Sequence, residues 1–284
     1  MTLVLALRCR DGIVLASDGQ ATADAAGQPT RRPVRKLFDL GGRIAWGAAG
    51  SIGLQQTLEE DLAQARKSLV EAADTQQLRR RLTEIVIPIQ QRALKDFVPH
   101  PGSQPPDLAC IFGWFERGEA RILSVPRTGS DHQLHERHAA VGTGDIFADF
   151  AMTAIAPLDT GRLSLEQAKM VAFKSVSDAI DVAAVYLGPP IQMYVVTGGG
   201  ARVVPASELE RALADSVEAW KGRQRETLGP LAPGGADVRL SLIPTGRLPA
   251  LRGPRSDPTL PGPHHAQPDP TLARGAPPRV AGAP

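Results

Sequence analysis

Thr2 stands directly behind the initiator methionine, and a cell removes Met1 when the next side chain is small. The mature chain is then expected to begin with a residue that carries a free α-amine and a hydroxyl together. A hydroxyl is a weak nucleophile at neutral pH, but an α-amine titrates at roughly 7.7 to 8.0 and can accept its proton over a very short distance. Thr2 is thus a nucleophile and a base in one residue, suited to acyl transfer. His132, His135 and His138 are spaced by three, but they fall in a loop entering a strand, where that spacing sends side chains to opposite faces. No carboxylate or cysteine completes a ligand set, so neither a metal nor another cofactor is expected. Cys9 and Cys110 sit in apolar, strand-like runs without CxxC spacing and read as buried, reduced thiols.

The elements that must position these groups are legible in outline. Residues 2–9 and 13–18 are short and rich in Val, Leu and Ile, and Asp11-Gly12 between them reads as a tight hairpin. Lys36 to Leu40 and Arg43 to Ala48 form a second hairpin candidate turning at Gly41-Gly42, so four strands are expected before any helix. From Ser51 the apolar period changes to that of a helix, on Ile52, Leu58, Leu62 and Leu69, with Ser51 a candidate cap. A second helix is expected from about Thr75 to Phe97, bent at Pro88. LACIFGWF and ARILSV read as another strand pair, and a further strand ends in Gly142-Thr143-Gly144. Helices return at about Asp145 to Ala156 and Leu165 to Val185, IQMYVVT and ARVV close a last hairpin, and Ser207 to Arg223 reads as a final helix. Strands, two helices, strands, two helices and strands suit an α+β class, a four-layer αββα sandwich of two antiparallel sheets with helices on each outer side.

Composition bounds what such a domain does. The 284 residues are 42% apolar, enough for a large core, and the net charge of +2 with both signs spread along the chain gives no reason to expect nucleic acid or a membrane as partner. Arg31, Arg32, Arg35 and Lys36 are the one local cluster, and they read as mostly a solvated loop. No stretch approaches the roughly 20 apolar residues of a membrane span, and a cytoplasmic protein is expected. Residues 225–284 hold 13 of the 25 prolines and little periodicity, so they are expected to be a disordered tail behind a domain of residues 1–224.

Three separated motifs then carry a resemblance. TLVLALRCRDGIVLASDGQAT, RKLFDLGGRIAWGAAGSIGLQQTL and AVGTGDIFADF resemble, in register, the proteasome β-type subunits and the HslV-like peptidases, which are N-terminal-nucleophile hydrolases. The resemblance covers about residues 2–205. It implies that Asp18 stands at the catalytic aspartate, Lys36 at the catalytic lysine, Gly50 at the glycine whose amide binds the oxyanion, and Thr143 at the serine of a Gly-Ser-Gly turn. Singly each has a plainer role: Asp18 as a hairpin end, Lys36 as a surface charge, Gly50 as a break before a helix. Their joint occurrence with Thr2 favours chemistry.

The activity implied is that of a threonine-type endopeptidase. The first specificity pocket maps onto Ala21, Thr22, Val34, Ala48 and Ile52, whose mostly small or apolar character favours an apolar residue before the scissile bond. Peptides or unfolded proteins are the substrates implied, homo-oligomeric stacked rings the assembly, and an ATP-dependent unfoldase the partner. One departure stands out: the aspartate and serine that support the terminal threonine in many β subunits fall near Ala184 and Leu187, neither of which can hydrogen-bond through its side chain, unless Asp181 replaces them. That leaves two rivals, a non-catalytic structural subunit of the same assembly and a small-molecule amidase of the same superfold.

Overall fold

In the computed structural model, residues 2–228 are described apart from 26–27, 100–103, 128–130 and 156–158. The chain runs β1 (Val4–Cys9), β2 (Gly12–Ser17), β3 (Gln20–Ala25), β4 (Gln28–Pro33), β5 (Leu37–Leu40) and β6 (Ile44–Gly50), then α1 (Ile52–Val70) and α2 (Thr75–Asp96). It continues with β7 (Leu108–Glu116), β8 (Glu119–Val125), β9 (Gln133–His135), β10 (His138–Val141), α3 (Asp145–Ile155) and α4 (Leu165–Val182). β11 (Gln192–Thr197), β12 (Gly200–Val203), a π-helical turn (Glu208–Leu213) and α5 (Ala214–Leu228) complete it. One five-stranded sheet has the order β10-β1-β2-β11-β12, the other β5-β6-β7-β8-β9, and every pairing is antiparallel.

Strand alternation builds the layers. On β1 and just before it, Leu3, Leu5, Leu7 and Cys9 enter a core shared with α3 and α4, whereas Val4 and Ala6 face the other sheet. On β6 and β7, Trp46, Ala48, Cys110 and Phe112 pack toward α1 and α2, whereas Ala45, Ala49, Ala109 and Ile111 face back. Successive side chains of a strand point to opposite faces, so strands buried on both sides read as continuous apolar runs rather than alternating ones. The result is the four-layer αββα sandwich expected from the element order.

Several local expectations are refined. Six strands precede α1 rather than four, because β3 and β4 pair as a two-stranded ribbon, with Gln20 opposite Pro33 and Thr22 opposite Arg31. Their polar sequence lacks the apolar alternation that marks a strand. Ser51 occupies the N-cap of α1 without a side-chain cap bond, whereas Ser164 and Gln167 form a full capping box at α4. α2 continues through Pro88. α5 reaches Leu228, past the boundary expected near residue 225, and the proline-rich stretch from 229 onward lies outside the described residues.

Candidate active site

Asp18 leaves the end of β2 with no exposed surface, and one carboxylate serves four donors. Oδ1 accepts from the Leu3 amide at 2.9 Å and from Lys36 Nζ at 2.7 Å. Oδ2 accepts from the amides of Gln20 at 3.2 Å and Gly188 at 3.4 Å. An ionised carboxylate offers about four lone-pair sites, so this set satisfies it without a spare donor. The same residue therefore pins the backbone next to Thr2 and fixes the lysine.

Lys36 lies between β4 and β5, only 3% exposed, and burial pushes its pKa below the ordinary lysine range while the charge and hydrogen bond of Asp18 hold it up. Its backbone is strapped by Gln192, at the start of β11 opposite Ser17. Gln192 Oε1 accepts from the Lys36 amide at 2.9 Å, and Nε2 donates to Val34 O at 2.5 Å. Gly19 ties the same region together, donating to Gly188 O at 2.9 Å and accepting from Val34 at 2.8 Å.

Thr2 is held from the other side by the turn after β10. Thr2 O accepts from the Gly144 amide at 3.1 Å, and a Cβ at Gly142, whose φ is +106°, would lie 2.1 Å from that oxygen. Only glycine fits there. Thr2 N approaches Thr143 Oγ1 at 3.3 Å. With Met1 attached this nitrogen is a peptide N–H; on removal of Met1 the same atom becomes the α-amine, with Thr143 as its neighbour.

Thr2, Ala21, Val34, Lys36, Gly50 and Ile52 line one hollow of about 100 Å³, together with Arg35 and Gln55. Gly50 ends β6 at φ +120°, and a Cβ there would meet Asp107 O at 2.1 Å, so the backbone passes close to β7 and leaves Gly50 open on its other side. The arrangement sets a hydroxyl, a lysine side chain and an unobstructed backbone around one space, the parts that an acyl transfer needs.

Asp18, Lys36, Gly50 and Thr143 thus gather around Thr2 as expected, and Ala21, Val34 and Ile52 line its hollow. Ala48 does not: it is 1% exposed and buried toward α1 and α2, because β6 alternation turns it away, and it drops out of the expected wall. Thr22 lies on β3, and its side chain is outside the described residues. Asp181 does not replace the missing support, since it pairs with Lys221 at 3.4 Å on the helical surface. Ala184 is exposed, and Leu187 is buried beside Gly144. The histidines diverge, His135 to Ser124 Oγ at 2.7 Å and His138 to Asp149 at 3.5 Å.

Sequence reasoning missed Gln192, Gly188, Arg35 and Gln55. Gln55 follows Ile52 by three on α1, a spacing that puts both on one helix face, and this was a usable signal. Gln192 and Gly188 had none, being more than 150 positions from the groups they hold.

Known proteins resemble this chain in sequence and in fold. The family model described as proteasome subunit matches residues 2–196. The proteasome subunit beta 1 of Streptomyces avermitilis is 29% identical over 230 residues, 76% of this chain and 76% of that protein. The proteasome subunit beta of Stackebrandtia nassauensis is 25% identical over 224 residues, 74% of this chain and 75% of its own. Among solved structures, an Anbu (Gly-1) mutant from Hyphomicrobium sp. strain MC1 covers 81% of this chain and 97% of that one, with a TM-score of 0.61 at 16% identity, a likeness of fold.

Proposed function

The chain belongs to the proteasome subunit family, and from that premise we propose that it is a threonine-type endopeptidase subunit whose nucleophile is Thr2 once Met1 is removed. The observation that carries the reading is the buried Lys36–Asp18 pair at 2.7 Å, with the lysine lining the same hollow as Thr2. A positive charge there favours the deprotonated forms of the hydroxyl and of the α-amine. Thr2 Oγ attacks the peptide carbonyl carbon, and the hydroxyl proton passes to the amine. The Gly50 amide hydrogen-bonds the developing oxyanion, a donor of a kind worth about 3–4 kcal/mol. The leaving amine takes the proton as the C–N bond breaks, and water then hydrolyses the ester to free Thr2.

Assembly into rings and peptide or unfolded-protein substrates belong to the same reading, as does an ATP-dependent unfoldase partner. Exposed apolar side chains support subunit contacts: Ile146 and Phe150 on α3 are 53% and 68% exposed, and Val182 and Val185 follow on and after α4, against which α3 packs. A cytoplasmic setting fits two buried cysteines without a disulfide. Among the described residues no helix is long and apolar enough to cross a membrane.

Mass spectrometry of the intact chain and its peptides after treatment with a peptide epoxyketone tests the proposal. The expected result is loss of Met1 and an adduct joining both the hydroxyl and the amine of Thr2, absent in Thr2→Ala. A retained Met1, or an unmodified Thr2, refutes it. The apolar Leu187 beside Gly144 favours a second reading, a structural subunit without activity, for which rings would form on native mass spectrometry while no adduct appears.

A further inference from the structure

The hollow at Thr2 is bordered by cations. Among the described residues its lining includes Arg35 and Lys36 and no carboxylate. Lys36 is taken up by Asp18 at 2.7 Å, and Asp107, next to Gly50, pairs with Arg127 at 2.8 Å. Arg35 is committed as well. Its carbonyl accepts from Gln55 Nε2 at 3.3 Å, and its guanidinium donates to Leu37 O at 2.9 Å and to the Tyr194 hydroxyl at 3.1 Å.

The β3–β4 ribbon, which belongs to neither five-stranded sheet, adds a cation that is not committed. Ala21, which lines the hollow, stands directly opposite Arg32, and Val34, which also lines it, follows Arg32 by two. Directly opposed residues of an antiparallel pair share a face, and so do residues two apart on one strand. Arg32 therefore carries the wall of the hollow outward on the same face, with its Cβ about 5 Å from that of Ala21. It is exposed and has no ion pair among the described residues. Arg31, opposite Thr22, belongs to the other face of the ribbon.

Resting on the peptidase reading of Thr2, we propose that Arg32 is a specificity-determining residue that binds an acidic side chain of the substrate outside the hollow. An extended peptide presents every second side chain to one face, so the residue read by Arg32 is two positions from the one that enters the hollow. The hollow and the guanidinium then select together for an apolar and an acidic residue at that spacing. A guanidinium offers a carboxylate two parallel N–H donors, which adds direction to the attraction of charge. Because the pair forms in water, its gain is small and is screened by salt.

Internally quenched peptides with a single leucine test this on the full chain, with aspartate or lysine placed in turn at each of the three positions on either side. For wild type at low salt, kcat/KM should favour aspartate over lysine about threefold at a position two removed from the leucine, the size that an exposed charge pair supports. Arg32→Ala should abolish this ratio, Arg32→Glu should invert it and about 0.5 M salt should shrink it, whereas Arg31→Ala should leave it as it is. A flat ratio at every position in wild type overturns the proposal, as does a ratio that Arg31→Ala lowers as much as Arg32→Ala does. Binding of the same peptides, dye-labelled and followed by fluorescence anisotropy, needs no turnover and is measured on Thr2→Ala with and without Arg32→Ala. An aspartate preference in binding that requires Arg32, without hydrolysis by wild type, upholds the role of Arg32 and overturns the peptidase reading instead.

Discussion

Two lysines of this chain are equally hidden and behave in opposite ways. Lys36 and Lys169 are each 3% exposed. Lys36 faces one carboxylate, that of Asp18, which is itself wholly buried, and burial prevails to push the lysine pKa down. Lys169 is also pushed down by burial, but the hydrogen bonds and charges of Glu166 and Glu208 outweigh it and its pKa rises. Solvent exposure is equal, but Lys36 sits deeper among protein atoms than Lys169, and the partners differ as well. The Glu166 side chain is 73% exposed and that of Glu208 30%, so α4 and the π-helical turn offer two solvated carboxylates rather than one desolvated one. A buried pair with a single partner is poised near the balance of desolvation and attraction, whereas a lysine with two wet partners is simply an ion pair.

The largest effect that would sharpen this contrast comes from Lys36→Met. It leaves Asp18 charged, buried and short of a donor, which costs about 3–5 kcal/mol of stability. It also removes the cation beside Thr2, for which a loss of peptidase activity of about 10³-fold is expected. Chemical denaturation and peptide hydrolysis measure the two separately, and unchanged hydrolysis by a folded Lys36→Met protein would break the comparison.

Asp18→Asn is expected to act next most strongly. An asparagine keeps one acceptor but turns an amide group toward backbone N–H donors, and it withdraws the charge that holds the Lys36 pKa up. Activity should fall about 10²-fold, and the alkaline limb of the pH–rate profile should move to lower pH. A limb that stays in place would show that the limb does not report Lys36.

The two lysines should also respond to alkali with opposite sign. Lys36 has a lowered folded-state pKa, so its burial cost is full below that value. Above it the unfolded chain binds more protons than the folded one, and stability from this group rises until the ordinary lysine range is passed. Lys169 has a raised pKa, so its contribution is full below the ordinary lysine range and is lost as pH climbs through the raised value. Hydrolysis should fall as Lys36 deprotonates. Melting curves of Lys36→Met and Lys169→Met against wild type across alkaline pH separate the two, and slopes of equal sign would contradict the assignment.

Lys169→Met itself should give the smallest change. Its freed carboxylates turn to water, the stability loss is expected near 1 kcal/mol, and peptide hydrolysis is expected to remain as in wild type. A loss of hydrolysis at constant fold would show that the α4 pair reaches the Thr2 site.

The sequence by itself determined the parts that depend on neighbours along the chain. Apolar runs located the strands of both sheets except β9, whose short Gln133–His135 segment carries no apolar run and reads as a loop, and a change of period located α1 and α2, because strand and helix periods are local properties. Thr2, Asp18, Lys36 and Gly50 were legible as a set only through the likeness of three separated motifs to one family. The β3–β4 ribbon was not legible, since its polar strands carry no periodic signal. Tertiary structure alone decided that Gln192 straps the Lys36 segment, that Gly188 completes the Asp18 set, that Ala48 faces the helices and that Gln55 meets Arg35. These choices rest on pairings between distant segments and on which face of β6 looks outward. A single strand fixes the alternation of its side chains, but which face meets the substrate is set only when the second sheet and the helices close over the other.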